Sequence, residues 1–440
     1  MTNSFGSKTK AQLIDRILGK KMLSRGDGGT RFPGLADERK SIPEAFTRFD
    51  RHPGYEKTLV PKLAATRLGV PNPFFKMHDG VAGATTSIAG REYINFASYN
   101  YLGLAGHPAV NAAARQAVDR YGTSASASRL VAGERPVQRE LEAALAAFYE
   151  VDDCIVFVSG HATNVSTIGY LFGPKDLVIH DSLIHNSVLE GIRLSGAARR
   201  SFPHNDHRLL DEVLSEIRHQ FERVLIVVEG LYSMDGDIPD LPALIEIKRR
   251  HRAFLMVDEA HSLGVLGNTG RGIREHFGVA GKDVDIWMGT LSKTLAGCGG
   301  YIAGEKALVE HLKYAAPGFI YSVGIAPPLA AASLQALRLM LDEPERVRRL
   351  QEHAQLFLQR LRDAGIDTGY SQGYAVVAAI TGSSLKAAKL SNQMFERGIN
   401  VQPIIYPAVE EKTARLRFFL SSSHTIEQLQ QTVAALSELA

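Results

Sequence analysis

Ala253-Phe254-Leu255-Met256-Val257-Asp258-Glu259-Ala260-His261 decides the fold: an apolar run too short for a helix ends in two acids and a histidine. Short runs of this kind, buried on both faces, are strands of a mainly parallel sheet and need crossover helices. Working outward, residues 154–158, 177–179, 224–228 and 286–288 are further apolar runs. Between two of them Leu209, Val213, Leu214, Ile217 and Phe221 recur every three or four residues, as one face of a helix does. From about residue 150 to 305 the chain reads as α/β, with a mainly parallel central sheet and helices on both faces.

Functional groups in open α/β sheets gather beyond the carboxyl ends of the strands. Here Ser159-Gly160-His161 follows the first run, Asp181 and His185 the second, and Glu229 and Ser233 the third. Asp258 and His261 follow the fourth, and Thr290 and Lys293 the fifth. Lys293 sits in Gly289-Thr290-Leu291-Ser292-Lys293-Thr294, 35 residues after Asp258. Read singly, Ser-Lys is a helix start with a solvated lysine, and the acids are helix caps. Asp-Glu-Ala-His also suits a nucleotide hydrolase, but no Gly-x-x-x-x-Gly-Lys-Ser/Thr loop precedes it. In this order and spacing the pair points to pyridoxal phosphate (PLP). A lysine amine forms a Schiff base with the cofactor aldehyde, and a buried carboxylate keeps the pyridine nitrogen protonated so that the ring accepts electrons.

The chain has 440 residues, 45% hydrophobic and 22% charged, enough to bury a large core as one large and one smaller domain. A net charge of +3, with no basic track interleaved with aromatics, argues against nucleic acid as a partner. The two cysteines, Cys154 and Cys298, are too few for a disulfide framework or a thiolate metal site. His180, Asp181 and His185 are close in sequence but lack a third soft ligand, so no metal is expected. The N-terminus lacks the apolar core of a secretory signal, and no stretch approaches the roughly 18 apolar residues that span a bilayer. The expected compartment is the cytoplasm.

Four segments are expected. Residues 1–60 form an N-terminal arm, 61–105 a segment packing with the small domain, 106–340 the large domain and 341–440 the small one. The arm opens with a basic helix candidate at 8–22. Within residues 1–25 the bases Lys8, Lys10, Arg16, Lys20, Lys21 and Arg25 oppose only Asp15. Such a segment suits peripheral contact with an anionic membrane, docking of an acidic carrier protein, or packing on a neighbouring subunit. The C-terminal part reads as α+β: a charged helix at 344–364, strands near 375–380 and 415–420, and a last helix. That helix opens on the capping-box pattern Thr425-Ile426-Glu427-Gln428.

Over roughly residues 90–440 the chain resembles the PLP-dependent α-oxoamine synthases, of fold type I. Within them it is similar to serine palmitoyltransferase and to the polyketide-associated members. The motifs that carry the resemblance include Ser98-Tyr99-Asn100-Tyr101-Leu102-Gly103, Ser128-Arg129-Leu130-Val131-Ala132-Gly133 and Asp181-Ser182-Leu183-Ile184-His185-Asn186-Ser187. Others are Glu229-Gly230-Leu231-Tyr232-Ser233-Met234-Asp235-Gly236-Asp237, Val257-Asp258-Glu259-Ala260-His261-Ser262, Gly267-Asn268-Thr269-Gly270-Arg271-Gly272 and the Lys293 segment.

The resemblance implies roles. Lys293 holds the cofactor and, once freed, takes the Cα proton of an amino acid. Asp258 pairs with the pyridinium nitrogen, His261 and Ser233 with the ring oxygen, and His185 stacks on the ring. Gly160, His161, Thr290 and Ser292 bind the phosphate, with Ser322 reaching the phosphate of a second subunit in a homodimer. His161 stands where the family usually carries an aromatic residue. Arg417 clamps the substrate carboxylate through a planar guanidinium. Asn100 is the substrate-facing asparagine, one position after the family's usual place, which Tyr99 occupies. The implied reaction is a decarboxylative condensation of serine, alanine or glycine with a long-chain or carrier-bound acyl thioester, carried by CoA or acyl carrier protein, giving an α-amino ketone. The alternatives are another PLP reaction, transamination or decarboxylation, and a catalytically silent partner subunit.

Overall fold

The structure is a computed structural model that describes residues 42–439; the helix expected at 8–22 and most of the arm lie outside them. The chain divides into two compact units at Leu63 and Ala64. In the first, the described residues form the 3₁₀ turns Glu44–Thr47 and Phe49–Arg51 and the start of the helix Pro53–Arg67. The sheets and the site belong to the second.

Seven strands make the central sheet: β1 (Asp153–Phe157), β2 (Leu177–Asp181), β3 (Ala198–Phe202), β4 (Val224–Glu229), β5 (Phe254–Asp258), β6 (Ile286–Thr290) and β7 (Gly300–Gly304). Their order is β1-β7-β6-β5-β4-β2-β3. β2 pairs in parallel with β3 and β4, β4 with β5, and β5 with β6. β7 runs antiparallel to both β6 and β1, so every other strand points its carboxyl end the same way. This is the expected mainly parallel α/β sheet.

The side chains show why the strands read as unbroken apolar runs. Ile155, Phe157, Val178, Leu225, Val227, Met256 and Met288 pack into the core on one face. Their chain neighbours Val156, Leu177, Ile179, Ile226, Val228, Leu255, Val257 and Trp287 pack into the core on the other. Successive strand residues face opposite ways, and burying each aliphatic side chain stabilises by about 1.5–3 kcal/mol.

The crossover helices α1 (Gly160–Leu171) and α2 (Asn186–Ser195) start just beyond β1 and β2. They pack so closely that a Cβ on Gly191 would lie 2.9 Å from the Asn164 carbonyl oxygen. The helix read from Leu209 onward is His207–Ile217, followed by a 3₁₀ turn, Arg218–Gln220. Phe221 lies beyond both.

A smaller antiparallel sheet follows, β8 (Val376–Ile380), β9 (Gln402–Ile404) and β10 (Arg415–Phe419), ordered β8-β10-β9. It is accompanied by the helices Glu345–Asp363, Ser384–Glu396 and Ile426–Leu439. The capping box of the last helix is formed. Thr425 N donates to Gln428 Oε1 at 3.0 Å, and Gln428 N to Thr425 Oγ1 at 3.2 Å.

The strand Arg91–Asn95 pairs in parallel with Ile399–Asn400. Ser421 Oγ donates to the Asn100 carbonyl, and Ser422 N to that of Tyr101. From β10, Arg415 Nη1 meets Asp235 Oδ1 at 2.5 Å, which ties the small sheet to the loop after β4. Among the described residues no helix is long and apolar enough to cross a membrane.

Candidate active site

A cavity of about 230 Å³ opens at the carboxyl ends of the parallel strands. Its lining brings together Gly160 and His161 from the start of α1, His185 from just before α2, and Asp258 with His261 after β5. Thr290, Ser292 and Lys293 line it from the end of β6. Residues scattered over more than a hundred positions converge because each follows a strand of the same direction.

Asp258 is almost fully buried and receives a donor on each oxygen: Ala260 N on Oδ1 at 3.0 Å and Asn164 Nδ2 on Oδ2 at 2.9 Å. Both fix the orientation of the carboxyl group. Asn164 Nδ2 also reaches Ser187 Oγ at 2.9 Å, and Ser187 Oγ lies 2.7 Å from His185 Nδ1. A continuous polar chain thus joins His185 to Asp258. On the far side, the Tyr101 hydroxyl and His261 Nδ1 share a hydrogen bond of 2.6 Å.

Burial pushes the Lys293 amine down to about 8, against the opposing pull of Asp258 and Glu229 and with help from the charge of Arg417. The neutral form that this makes accessible at mildly alkaline pH can act as a nucleophile and a base. Burial also pushes the His185 and His261 imidazoles down, so both rings are neutral near pH 7. Glu229, at the end of β4, is pushed up to about 8 by burial and by the charge of Asp258.

Around Thr290 the backbone folds back on itself. Its hydroxyl donates to the Gly299 carbonyl at 2.9 Å, and Ser292 N donates to Thr290 Oγ1 at 3.2 Å. A Cβ at position 160 would lie 2.8 Å from Thr290 Oγ1, so the start of α1 has to be glycine for the two loops to meet. The N–H groups of the first turn of α1, helped by the helix dipole, suit an anion there.

Four predicted residues do not line the cavity. Ser233 lies behind Glu229; its N–H donates to Glu229 Oε2 at 3.1 Å, and its carbonyl accepts from Arg417 Nη1 at 3.0 Å. Arg417 is braced on the Phe419 ring, 4.5 Å from its centre, with a buried Nε that has no partner among the described residues. Asn100 turns away. Its Nδ2 donates to the Ala82 and Ala105 carbonyls and its Oδ1 accepts from Ala105 N, so its amide holds its own loop together and Tyr99 is the neighbour that faces Lys293. Ser322 lies beyond the helix Pro317–Ile320, in a segment fastened to residues 127–128 by Gly324 N donating to the Ala127 carbonyl and Ser128 Oγ to that of Ile320.

His180 and Asp181 are engaged elsewhere. His180 Nε2 accepts from Arg199 Nε, and the Asp181 carboxylate pairs with His204. Sequence reasoning missed Asn164, Ser187 and Tyr101. Asn164 had a signal, since it lies one helical turn after Gly160 and so on the same face. Ser187 stands two positions after His185, whereas nothing local marks Tyr101 as the partner of a residue 160 positions away.

The residues fit PLP. A buried carboxylate, a partly neutral lysine, a helix N-terminus with hydroxyls and a bare glycine, and neutral imidazoles are the groups that pyridine, aldehyde and phosphate require. A profile of the family described as "Aminotransferase class I and II" matches residues 91–436. An 8-amino-7-oxononanoate synthase of Symbiobacterium thermophilum is 41% identical over 352 residues, covering 80% of this chain and 89% of that protein. A serine palmitoyltransferase of Sphingomonas wittichii superposes with a TM-score of 0.84 at 30% identity, over 88% of this chain and 97% of that one. The serine palmitoyltransferase of S. paucimobilis with a bound PLP–myriocin aldimine gives the same TM-score at 28% identity, over 88% and 97% of the two chains.

Proposed function

Because this chain belongs to the class I and II aminotransferase family, as one of its PLP-dependent α-oxoamine synthases, we propose that it joins serine, alanine or glycine to an acyl thioester, releasing carbon dioxide and an α-amino ketone. It is a PLP-dependent C-acyltransferase. The observation that carries the substrate reading is the Lys293 amine, pushed down to about 8, in a cavity of about 230 Å³. Such a space, once it holds a pyridine ring and a phosphate, suits an amino acid with a small side chain. The names of the relatives agree in kind: 8-amino-7-oxononanoate carries its amine beside a ketone, and serine palmitoyltransferase names an amino acid and an acyl group.

Bound PLP supplies an aldehyde for the amino group and a ring that takes up the electron pair left at Cα. The protein does the rest. Lys293 holds the cofactor and then takes the Cα proton, for which its neutral form is needed. Asp258, oriented by Asn164 and Ala260, would pair with the protonated pyridine nitrogen. His185 would cover the ring, and His261 would bond the ring oxygen. Gly160, His161, Thr290 and Ser292 hold the phosphate. Arg417 would take the substrate carboxylate through its planar guanidinium and so orient the amino acid.

A homodimer belongs to this reading, with Ser322 reaching the neighbouring subunit's phosphate. It is supported by Leu130, Val131, Tyr321 and Val323, exposed apolar residues on two segments bonded to each other. The acyl group arrives on CoA or on an acidic carrier protein, which the basic residues of 1–25 would attract.

The test is a visible-absorption titration of the PLP-loaded protein with serine, alanine, glycine and threonine, followed by product analysis with acyl thioesters. A saturable shift with one small amino acid, and a product holding carbons of both substrates, is the expected result. A keto acid without acyl carbons would replace the reading with transamination.

A further inference from the structure

Glu229 ends β4 and Asp258 ends β5, and their Cα atoms are partners in the parallel register. Two buried carboxyls therefore stand side by side on the floor of one cavity, 3% and 4% exposed. Two carboxyls so placed do not both ionise. Their hydrogen-bond partners are unequal. Asp258 has a donor on each oxygen, whereas Glu229 has the Ser233 N–H on Oε2, and its buried Oε1 has no partner among the described residues. The proton that the pair must keep belongs on Glu229 Oε1, which then becomes a donor facing the cavity.

Sheet order indicates what this donor meets, given the PLP reading above. The phosphate groups follow β1 and β6, and the nitrogen partner ends β5. On the pyridine ring the oxygen-bearing carbon and the carbon that carries the phosphate arm flank the aldehyde position from opposite sides. With the phosphate toward β1 and β6 and the nitrogen at β5, the oxygen edge turns toward the next strand, β4. We propose that Glu229 stays protonated and donates a hydrogen bond from Oε1 to the ring oxygen of bound PLP, leaving the negative charge at the ring nitrogen to Asp258.

Besides burial, the charged groups facing Glu229 are Asp258 from β5 and Asp181 from β2, which hold the proton on, and Lys293 after β6, which draws it off. Arg417 of β10 is held at the Ser233 carbonyl, on the other side of the Ser233 backbone. A neutral acid against the ring oxygen withdraws charge from it without adding a second anion beside Asp258.

The proposal is tested on the full chain reconstituted with PLP, wild type beside Glu229→Gln, which keeps a donor and cannot ionise, and Glu229→Leu, which has none. PLP affinity and the pH titration of the cofactor's visible band are the readouts. Glu229→Gln should match wild type, while Glu229→Leu should bind PLP about tenfold more weakly, its band titrating roughly one pH unit away. Equal losses in both variants would show that a carboxylate is used and overturn the proposal, as would a Glu229→Leu protein identical to wild type. If Glu229→Leu does not fold, the infrared difference spectrum between wild type and Glu229→Gln decides. A protonated-carboxyl stretch present at neutral pH and lost in Glu229→Gln supports the proposal; its absence refutes it. A wild type that takes up no PLP would instead remove the cofactor reading beneath it.

Discussion

The Lys293 amine lies 5.4 Å from the centre of the Tyr99 ring. The ring is held edge-on by Phe419 at 4.8 Å and His261 at 6.0 Å, so its face is presented to the amine by packing. An aromatic face attracts an ammonium and partly offsets the burial that drives the amine toward neutrality. Tyr99→Leu should lower the Lys293 value from about 8 by roughly half a unit. The pH dependence of the rate of PLP uptake measures it, and an unchanged or raised value would show that the ring does not stabilise the charge.

With Lys293 in the proposed role of base, acting in its neutral form, exchange of the Cα proton with solvent should rise with pH and level off above about 8. Lys293→Ala should abolish both the exchange and turnover while leaving the circular dichroism of the fold unchanged. Exchange that persists in Lys293→Ala would assign the base to another group.

His204 bridges two buried acids, Nδ1 to Asp181 Oδ1 at 3.0 Å and Nε2 to Asp237 Oδ2 at 2.8 Å. Burial alone would push the imidazole down, but the two carboxylates outweigh it and raise it from 6.5 to about 10. The folded state thus binds the proton more tightly than the unfolded chain. This contribution to stability is complete below about 6.5 and is lost as pH rises through about 10. Thermal melts from pH 7 to 10 should show a fall in Tm that His204→Gln flattens, starting from a lower Tm; equal slopes would count against the bridge.

Gly236 has a φ of +78°, and a Cβ there would lie 2.0 Å from the Val376 carbonyl oxygen. Gly365 has a similar φ of +74° with nothing within 4 Å. Gly365→Ala should therefore cost about 1–2 kcal/mol from backbone strain alone, and Gly236→Ala on the order of 3 kcal/mol or more, because the loop carrying Ser233 must also move off β8. Urea unfolding of the two variants separates the contributions, and equal losses would mean that the contact relaxes freely.

Where burial is two-sided the sequence was legible. β2 and β4 are buried along their whole length, so residues 177–179 and 224–228 read as unbroken apolar runs. β3 was not legible, because this edge strand, Ala-Arg-Arg-Ser-Phe, exposes its three middle residues. Nor was β7, whose Gly300 and Gly304 leave room for neighbouring backbone rather than for a recognisable strand pattern. In the site, residues that follow strands could be read from position alone. Asn164 and Tyr101 act through partners 94 and 160 positions away, and no local periodicity encodes such a distance. Asn100 misled for a related reason: its residue type suits a substrate, while its loop uses the whole amide.

The place of β7 between β6 and β1 bears on how the chain is made. Among the described residues β1 hydrogen-bonds to the sheet only through β7, so Ile155 and Phe157 have no described strand beside them until Gly300–Gly304 has left the ribosome. At ordinary rates of synthesis the intervening 140 or so residues take roughly 7–30 s. Throughout that interval a nascent chain holds an apolar strand with an open edge, a natural client for a chaperone. The strand Arg91–Asn95 has Thr85–Ile88 on one side from the start and waits longer for Ile399–Asn400 on the other. A ribosome stalled before residue 300 would display β1 with neither edge paired to the sheet, so an unfinished copy of this enzyme is marked by the first strand of its central sheet.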